Sequence, residues 1–254
     1  MLNEVGIVHF VLGFVLGHLC GSIPSGLWLV QALHGIDIRN YGSKNIGTTN
    51  VFRTVGPTTA VLVLICDMLK GIIAVALVNH FFHNPELDVV TALGALLGHN
   101  YSAFLGFKGG KGVATGLGLL VFLMPKVAGT VFLVWLVLVL ITRYVSLGSI
   151  VAAILTPIMA WYFAYPCAYI VLGAIAGFFV VLRHKENIGR LLSGTESKIK
   201  PGNAKNLPKK KIITIKASPT YYFASKLGAF SFGGHKNAQI FHKKTFVFFT
   251  QTVV

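Results

Sequence analysis

Carboxylates are scarce in this chain: seven Asp and Glu stand among 254 residues, and none follows Glu196. Charged residues of both signs reach only 11%, against about 25% in an ordinary soluble domain, while 54% are hydrophobic and the mean hydropathy is +0.73. That balance excludes a water-soluble globular fold and predicts a polytopic membrane protein. Cysteine is sparse as well. Cys20, Cys66 and Cys167 fall in apolar segments, are odd in number and have no metal-ligand spacing, so they read most simply as buried thiols; no metal site and no disulfide framework is expected. No basic residue precedes the first apolar run, and Glu4 is the only charge before it, so that run reads as an uncleaved anchor rather than a signal peptide.

What is present begins with apolar runs long enough, at about 20 residues, to cross a bilayer. The first covers residues 5–30, with a small and polar far half, G-S-I-P-S-G, that suggests close helix packing or a kink at Pro24. A second covers 58–82 and contains Asp67 and Lys70, three apart on one helical face and therefore able to pair. The turn H-N-P-E-L-D leads to a third at 87–105. Two short runs, 113–124 and 127–142, flank Pro125, a sixth carries Pro157 as a kink and ends near Ala164, and a seventh ends near Leu182. The expected architecture is an all-α bundle of about seven transmembrane helices in a membrane domain of residues 1–200. Residues 201–254 form a separate basic tail.

Charge assigns the sides. Through Glu196 there are 11 basic and 7 acidic residues, a net +4, so +11 of the +15 total lies in the last 58 residues. The loops after the odd-numbered spans carry Arg39, Lys44, Arg53, Lys108, Lys111, Arg143, Arg183, Lys185 and Arg190, whereas the opposite side shows Lys126 with Glu4, Glu86 and Asp88. The positive-inside rule then puts the N-terminus outside and the C-terminus in the cytoplasm. Three polar clusters fall together on the cytoplasmic face. The first is Y-G-S-K-N-I-G-T-T-N-V-F-R, rich in donors and free of carboxylates. The second is G-H-N-Y-S-A-F-L-G-F-K-G-G-K-G-V-A-T, and the third is R-H-K-E-N-I-G-R-L-L-S-G-T-E-S-K. Glycines that let backbone N–H groups approach a ligand, beside fixed cations, suit an anion site. The second cluster is not a nucleotide-hydrolysing P-loop: Leu105 stands where its first glycine belongs, and Gly112 where its magnesium-binding Ser or Thr belongs.

In order, spacing and span count, these three motifs resemble the bacterial integral-membrane glycerol-3-phosphate acyltransferases that use acyl-phosphate as donor, over about residues 5–200. The resemblance implies transfer of a fatty acyl group to the 1-hydroxyl of glycerol 3-phosphate, giving lysophosphatidic acid and phosphate, the first step of phospholipid synthesis. The site would lie on the cytoplasmic side of a multi-pass protein of the cell (inner or plasma) membrane. It implies catalytic roles for Ser43, His184 and Asn187, and substrate phosphate binding by Arg53, Lys111, Ser149, Asn45 and Gly110. No cofactor, metal or nucleic acid is expected. The partners are the two substrates and the bilayer, with room for the soluble enzyme that makes acyl-phosphate and for the next acyltransferase, and no oligomer is required.

Since acyl-phosphate is a mixed anhydride with a good leaving group, positioning and charge stabilisation should carry most of the catalysis. The base is either His184 or the donor's own phosphate. The absence of an obvious orienting carboxylate favours the second, with His184 donating a hydrogen bond. The pair His83 and Asp88 matches the H-x-x-x-x-D of another acyltransferase family but falls in the outer loop and reads as a solvated turn formed by Asn84 and Pro85. The tail beyond about Pro201 departs from the family. It reads either as disordered and drawn to anionic lipid, or as a frame-altered or read-through end. An organic-phosphate transporter would also need apolar spans and basic loops, but the motifs show no internal repeat.

Overall fold

A computed structural model describes residues 5–203. The basic tail from 204 onward lies outside the described residues. Every regular element among the described residues is helical: α1 (Ile7–Ser22), α2 (Ser25–His34), α3 (Thr48–Thr54), α4 (Pro57–Phe82), α5 (Pro85–Asn100), α6 (Val113–Leu123), α7 (Pro125–Thr142), α8 (Val145–Tyr162), α9 (Cys167–Arg183) and α10 (Lys185–Leu192), with 3-10 turns at Ile38–Asn40 and Ala103–Leu105.

The apolar composition explains the helices, since a backbone in hydrocarbon must satisfy its own hydrogen bonds. Prolines set several starts: Pro57, Pro85 and Pro125 occupy first-turn positions, where a missing N–H costs nothing. Against the expectation of seven spans, four helical segments are long and apolar enough to cross a membrane. They are Ile7–His34, Pro57–Phe82, Pro125–Thr142 and Val145–Tyr162, with a fifth if α9 and α10, bent by 60°, count as one. The difference arises because α5 has 16 residues and α6 has 11, so at about 1.5 Å per residue neither spans the ~30 Å of a hydrocarbon core alone. The third apolar run stops being helical at Asn100, inside the second polar motif.

Both readings of G-S-I-P-S-G hold together. The helix breaks between Ser22 and Ser25, and α1 lies against α5 along Gly13, Gly17 and Gly21, with Ser22 its only other buried residue. A methyl group on Gly17 would stand 2.1 Å from the carbonyl oxygen of Thr91, and one on Gly21 2.0 Å from that of Ala95. In the other direction, a methyl group on Gly94 of α5 would stand 2.4 Å from the carbonyl oxygen of Phe14, and one on Gly98 2.2 Å from that of His18. The four-residue spacing puts these glycines on one stripe, the packing mode available where lipid tails supply no hydrophobic drive.

The main core gathers Val75, Ala92, Leu119, Met124, Val131, Ala160 and Leu172 from α4 to α9. A second cluster, with Val30, Ile38, Val51 and Val63, seats the first polar loop on α2 and α4. Asp67 and Lys70 form the expected pair, Nζ to Oδ1 at 2.8 Å. Two expectations are corrected. Asp88 is not part of a solvated turn: it is buried and accepts hydrogen bonds from Asn79 Nδ2 (2.8 Å) and Tyr169 Oη (3.0 Å), while Asn84 caps α5. Nor are the cysteines all buried, since Cys20 and Cys66 are half-buried and Cys167, at the start of α9, is exposed.

After α10 the chain runs extended across the first motif. Ser197 O accepts from Arg53 Nη2 at 2.6 Å, Ile199 N–H donates to Arg143 O at 2.8 Å, and Gly202 N–H donates to Phe52 O at 2.9 Å. The strap therefore ends past residue 200. Deleting 204–254 should leave turnover and melting temperature near those of the full chain, whereas ending the chain at Ser197 removes two of these backbone bonds and should lower both; turnover and Tm of the two truncations in detergent check this.

Candidate active site

The first motif is arranged by one buried side chain. Asn50, 2% exposed on α3, donates from Nδ2 to Tyr41 O (3.1 Å) and Asn45 O (2.8 Å), and its Oδ1 accepts the Ser43 N–H (2.9 Å). Asn45 Oδ1 in turn accepts from Gly47 N at 2.8 Å. The loop is thereby fixed from inside, leaving exposed Ser43 at the mouth of a cavity of about 700 Å³ that Asn45, Thr48, Thr49 and Arg53 also line. Arg53 Nε is buried and has no hydrogen-bond partner among the described residues. Burial lowers the guanidinium pKa, yet an arginine stays charged at any physiological pH.

Lys111 meets the third motif in the same cavity. Lys111 Nζ donates to Asn187 Oδ1. Asn187 Nδ2 donates to Glu196 Oε1 (2.8 Å), which also accepts from Ser146 Oγ (2.8 Å), and Glu196 Oε2 accepts from Arg190 Nε (2.7 Å). Burial raises the Glu196 pKa, but the hydrogen bonds from Arg190, Asn187 and Ser146 outweigh it and hold the carboxyl below its ordinary value. The carboxylate thus fixes the Asn187 amide with its oxygen toward Lys111. Burial depresses the Lys111 ammonium to about 8, with Glu196 opposing the shift.

His184 sits at the bend between α9 and α10, 3% exposed, with Nδ1 2.7 Å from Val180 O. A carbonyl only accepts, so Nδ1 carries the proton. Burial, then the charge of Lys111, depresses the ring to about 4, and at neutral pH Nε2 is an unprotonated acceptor. This reverses the expectation of a donating His184: the ring is oriented by a backbone carbonyl and presents a lone pair.

Below this polar mouth the cavity becomes apolar. Its wall on α8 runs from Val145 to Thr156, and on α9 from His184 to Leu172, so at about 1.5 Å per residue it descends roughly 16 Å. Leu64, Leu117, Leu120, Phe132, Ala152 and Ala176 complete it. Ser149 lies on this wall. Its hydroxyl donates to Val145 O (2.9 Å) and accepts from Trp135 Nε1 (3.3 Å), so its proton is already committed.

One cavity therefore brings together Ser43, Asn45, Arg53, Lys111, Ser149, His184 and Asn187. Gly110 is not among its lining. Its N–H donates to His99 O (2.9 Å) and its carbonyl accepts from Arg183 Nη2 (3.0 Å). Sequence reading missed Trp135, Glu196, Asp67 and His99 as cavity residues. Glu196 lies within the third motif and Asp67 is a charge inside a span, both usable signals, but nothing marks Trp135. Among the described residues, no group of three or more His, Cys, Asp or Glu is placed to hold a metal ion. Cations at the mouth above an apolar trough suit an anionic headgroup joined to an alkyl chain.

The chain is similar to known proteins over most of its length. The family model described as glycerol-3-phosphate acyltransferase matches residues 11–194. A glycerol-3-phosphate acyltransferase of Syntrophomonas wolfei is 46% identical over 185 residues, covering 73% of this chain and 94% of its own. One of Fusobacterium nucleatum is 46% identical over 187 residues, covering 73% and 96%. Among solved structures, PlsY (YgiH), an integral membrane glycerol 3-phosphate acyltransferase in its glycerol 3-phosphate form, is similar with a TM-score of 0.71 and 41% identity, over 75% of this chain and 96% of that one.

Proposed function

The chain belongs to the glycerol-3-phosphate acyltransferase family, and we propose that it transfers a fatty acyl group from acyl-phosphate to the 1-hydroxyl of glycerol 3-phosphate, releasing lysophosphatidic acid and phosphate. The observation that carries this reading is the single cavity in which Arg53 and Lys111 stand over an apolar trough about 16 Å deep. Two phosphorylated substrates must lie side by side, and two fixed cations offset their repulsion. The acyl chain occupies the trough, where Trp135 and Ser149 line the wall. Ser43 and Asn45 at the mouth receive the glycerol phosphate with Arg53. Gly110 acts through the loop that carries Lys111 rather than by direct contact.

For the transfer, the glycerol hydroxyl oxygen attacks the acyl carbon and the bond from that carbon to the phosphate oxygen breaks. A ring held near 4 is a weak proton acceptor, since a general base works best with a pKa near the operating pH. His184 Nε2 therefore accepts a hydrogen bond from the attacking hydroxyl and aims it, and the proton leaves with the phosphate. Asn187, fixed by Glu196, holds the Lys111 ammonium in place. We further propose seven spans, with α5 and α6 as short ones, the mouth in the cytoplasm and the N-terminus outside. The soluble enzyme that makes acyl-phosphate and the next acyltransferase remain part of this reading as partners at that face.

The test is whether purified protein in detergent releases phosphate from a long-chain acyl-phosphate only when glycerol 3-phosphate is present, with acylated product in equal amount. Movement of glycerol 3-phosphate into sealed proteoliposomes without turnover would establish the transporter instead.

A further inference from the structure

The second glycine loop rests on a buried polar cluster that the reaction itself does not use. His99, the penultimate residue of α5, is buried, and its ring fills the space beneath Gly110: a methyl group at Gly110 would stand 2.0 Å from His99 Nε2. At Gly109 it would stand 2.2 Å from His99 O, the atom that accepts the Gly110 N–H at 2.9 Å. From the other side Arg183 clasps the same two residues, Nη2 donating to Gly109 O at 3.2 Å and to Gly110 O at 3.0 Å. The next residue is Lys111.

The histidine is itself backed. Its Nδ1 faces Asp67 Oδ1 at 3.8 Å, too long for a hydrogen bond, and has no hydrogen-bond partner among the described residues, so the two side chains meet by packing. Asp67 is paired with Lys70, whose Nζ also donates to Ile23 O (2.8 Å) at the break between α1 and α2. A buried ion pair within an apolar bundle is costly to keep and marks a site that needs it. His99 lines the cavity, but its Nε2 lies against Gly110 and its Nδ1 toward Asp67.

We propose that His99, packed beside the Asp67–Lys70 pair, is a positioning residue: it is the seat that fixes the height of the glycine loop and so places the Lys111 ammonium in the anion site. The inference rests on the acyltransferase reading of that site. It accounts for glycine at 109 and 110 as residues that must lie on an imidazole and its carbonyl.

The seat and the glycine are complementary, which gives a test by exchange. H99A should leave the loop unsupported and G110A should lift it off the ring. Each should raise the KM for glycerol 3-phosphate about tenfold or more, the loss expected when a charge-assisted contact is misplaced, with a smaller change in kcat. In H99A/G110A the added methyl group enters the space the ring has left, so KM should recover to well below that of either single variant, and Tm should show the same favourable coupling. Simple additivity in both readouts, or wild-type KM in the singles, overturns the seat. Should H99A fail to accumulate, H99Q and G110A carry the same test, because G110A changes only the loop and its KM must rise. Failure of the acyltransferase reading looks different: wild-type protein itself would give no turnover, whereas failure of the seat leaves wild-type turnover intact and the variants uncoupled.

Discussion

Lys111→Met should lower kcat/KM for glycerol 3-phosphate by between about 10² and 10⁴, while the protein still folds. The range follows from two lost charge-assisted contacts, one to each substrate phosphate, at about 1.5 to 3 kcal/mol apiece. Folding should survive because, among the described residues, the only side-chain bond lost is the one to Asn187, whose amide stays tied to Glu196. Steady-state kinetics beside a melting curve checks it, and kinetics near wild type would remove Lys111 from the site. The same side chain sets a pH limit. Its cation is present below the depressed pKa of about 8 and is lost as pH rises through it, so kcat/KM, which reports the free enzyme, should fall on the alkaline side near that value. Lys111→Arg should move this limb upward even where it lowers the plateau, because arginine does not deprotonate.

His184→Phe should lower kcat about a hundredfold, the cost of a reacting group displaced by about 1 Å, because the attacking hydroxyl loses the acceptor that aims it. His184→Gln, which can offer an oxygen near the position of Nε2, should recover activity to within about tenfold of wild type. A glutamine variant below about a thousandth of the wild-type rate would show instead that the imidazole takes the proton, since general base catalysis is worth about 10² to 10⁴. The acid side of the profile separates the two as well. With the ring depressed to about 4, no loss should follow the ordinary histidine range near 6.5; any fall near 6 belongs to the second ionisation of the substrate phosphates and should persist in the glutamine variant.

Much of this site was legible in the sequence because its chemistry is concentrated in three short runs. Ser43, Asn45, Arg53, Lys111, His184 and Asn187 line one cavity, and charge asymmetry alone had grouped their loops. What was not legible depends on distances across the bundle. Glu196 gains its role by meeting Ser146, fifty residues earlier, and no local pattern encodes that. Gly110 looks like a phosphate-cradling glycine in sequence, and only the position of the His99 ring explains it as a contact residue. The orientation of His184 comes from the Val180 carbonyl, a backbone group that side-chain composition cannot reveal. The span count rests on more than hydropathy for a related reason: α5 has 16 residues and α6 has 11, and an apolar run read from sequence does not reveal where its helix stops.

The seam between α1 and α5 constrains how this protein can vary. At most positions of a membrane helix, substitutions form a graded series, each extra carbon a little worse than the last. Gly17, Gly21, Gly94 and Gly98 allow no such series, because the first added carbon overlaps main-chain atoms of the facing helix rather than the movable tip of a side chain. Mutational neighbours at these four sites are therefore separated from the native chain by a step, with no shallow slope leading away from it. In a randomised library screened for growth, they would return glycine alone, although none of the four lines the cavity.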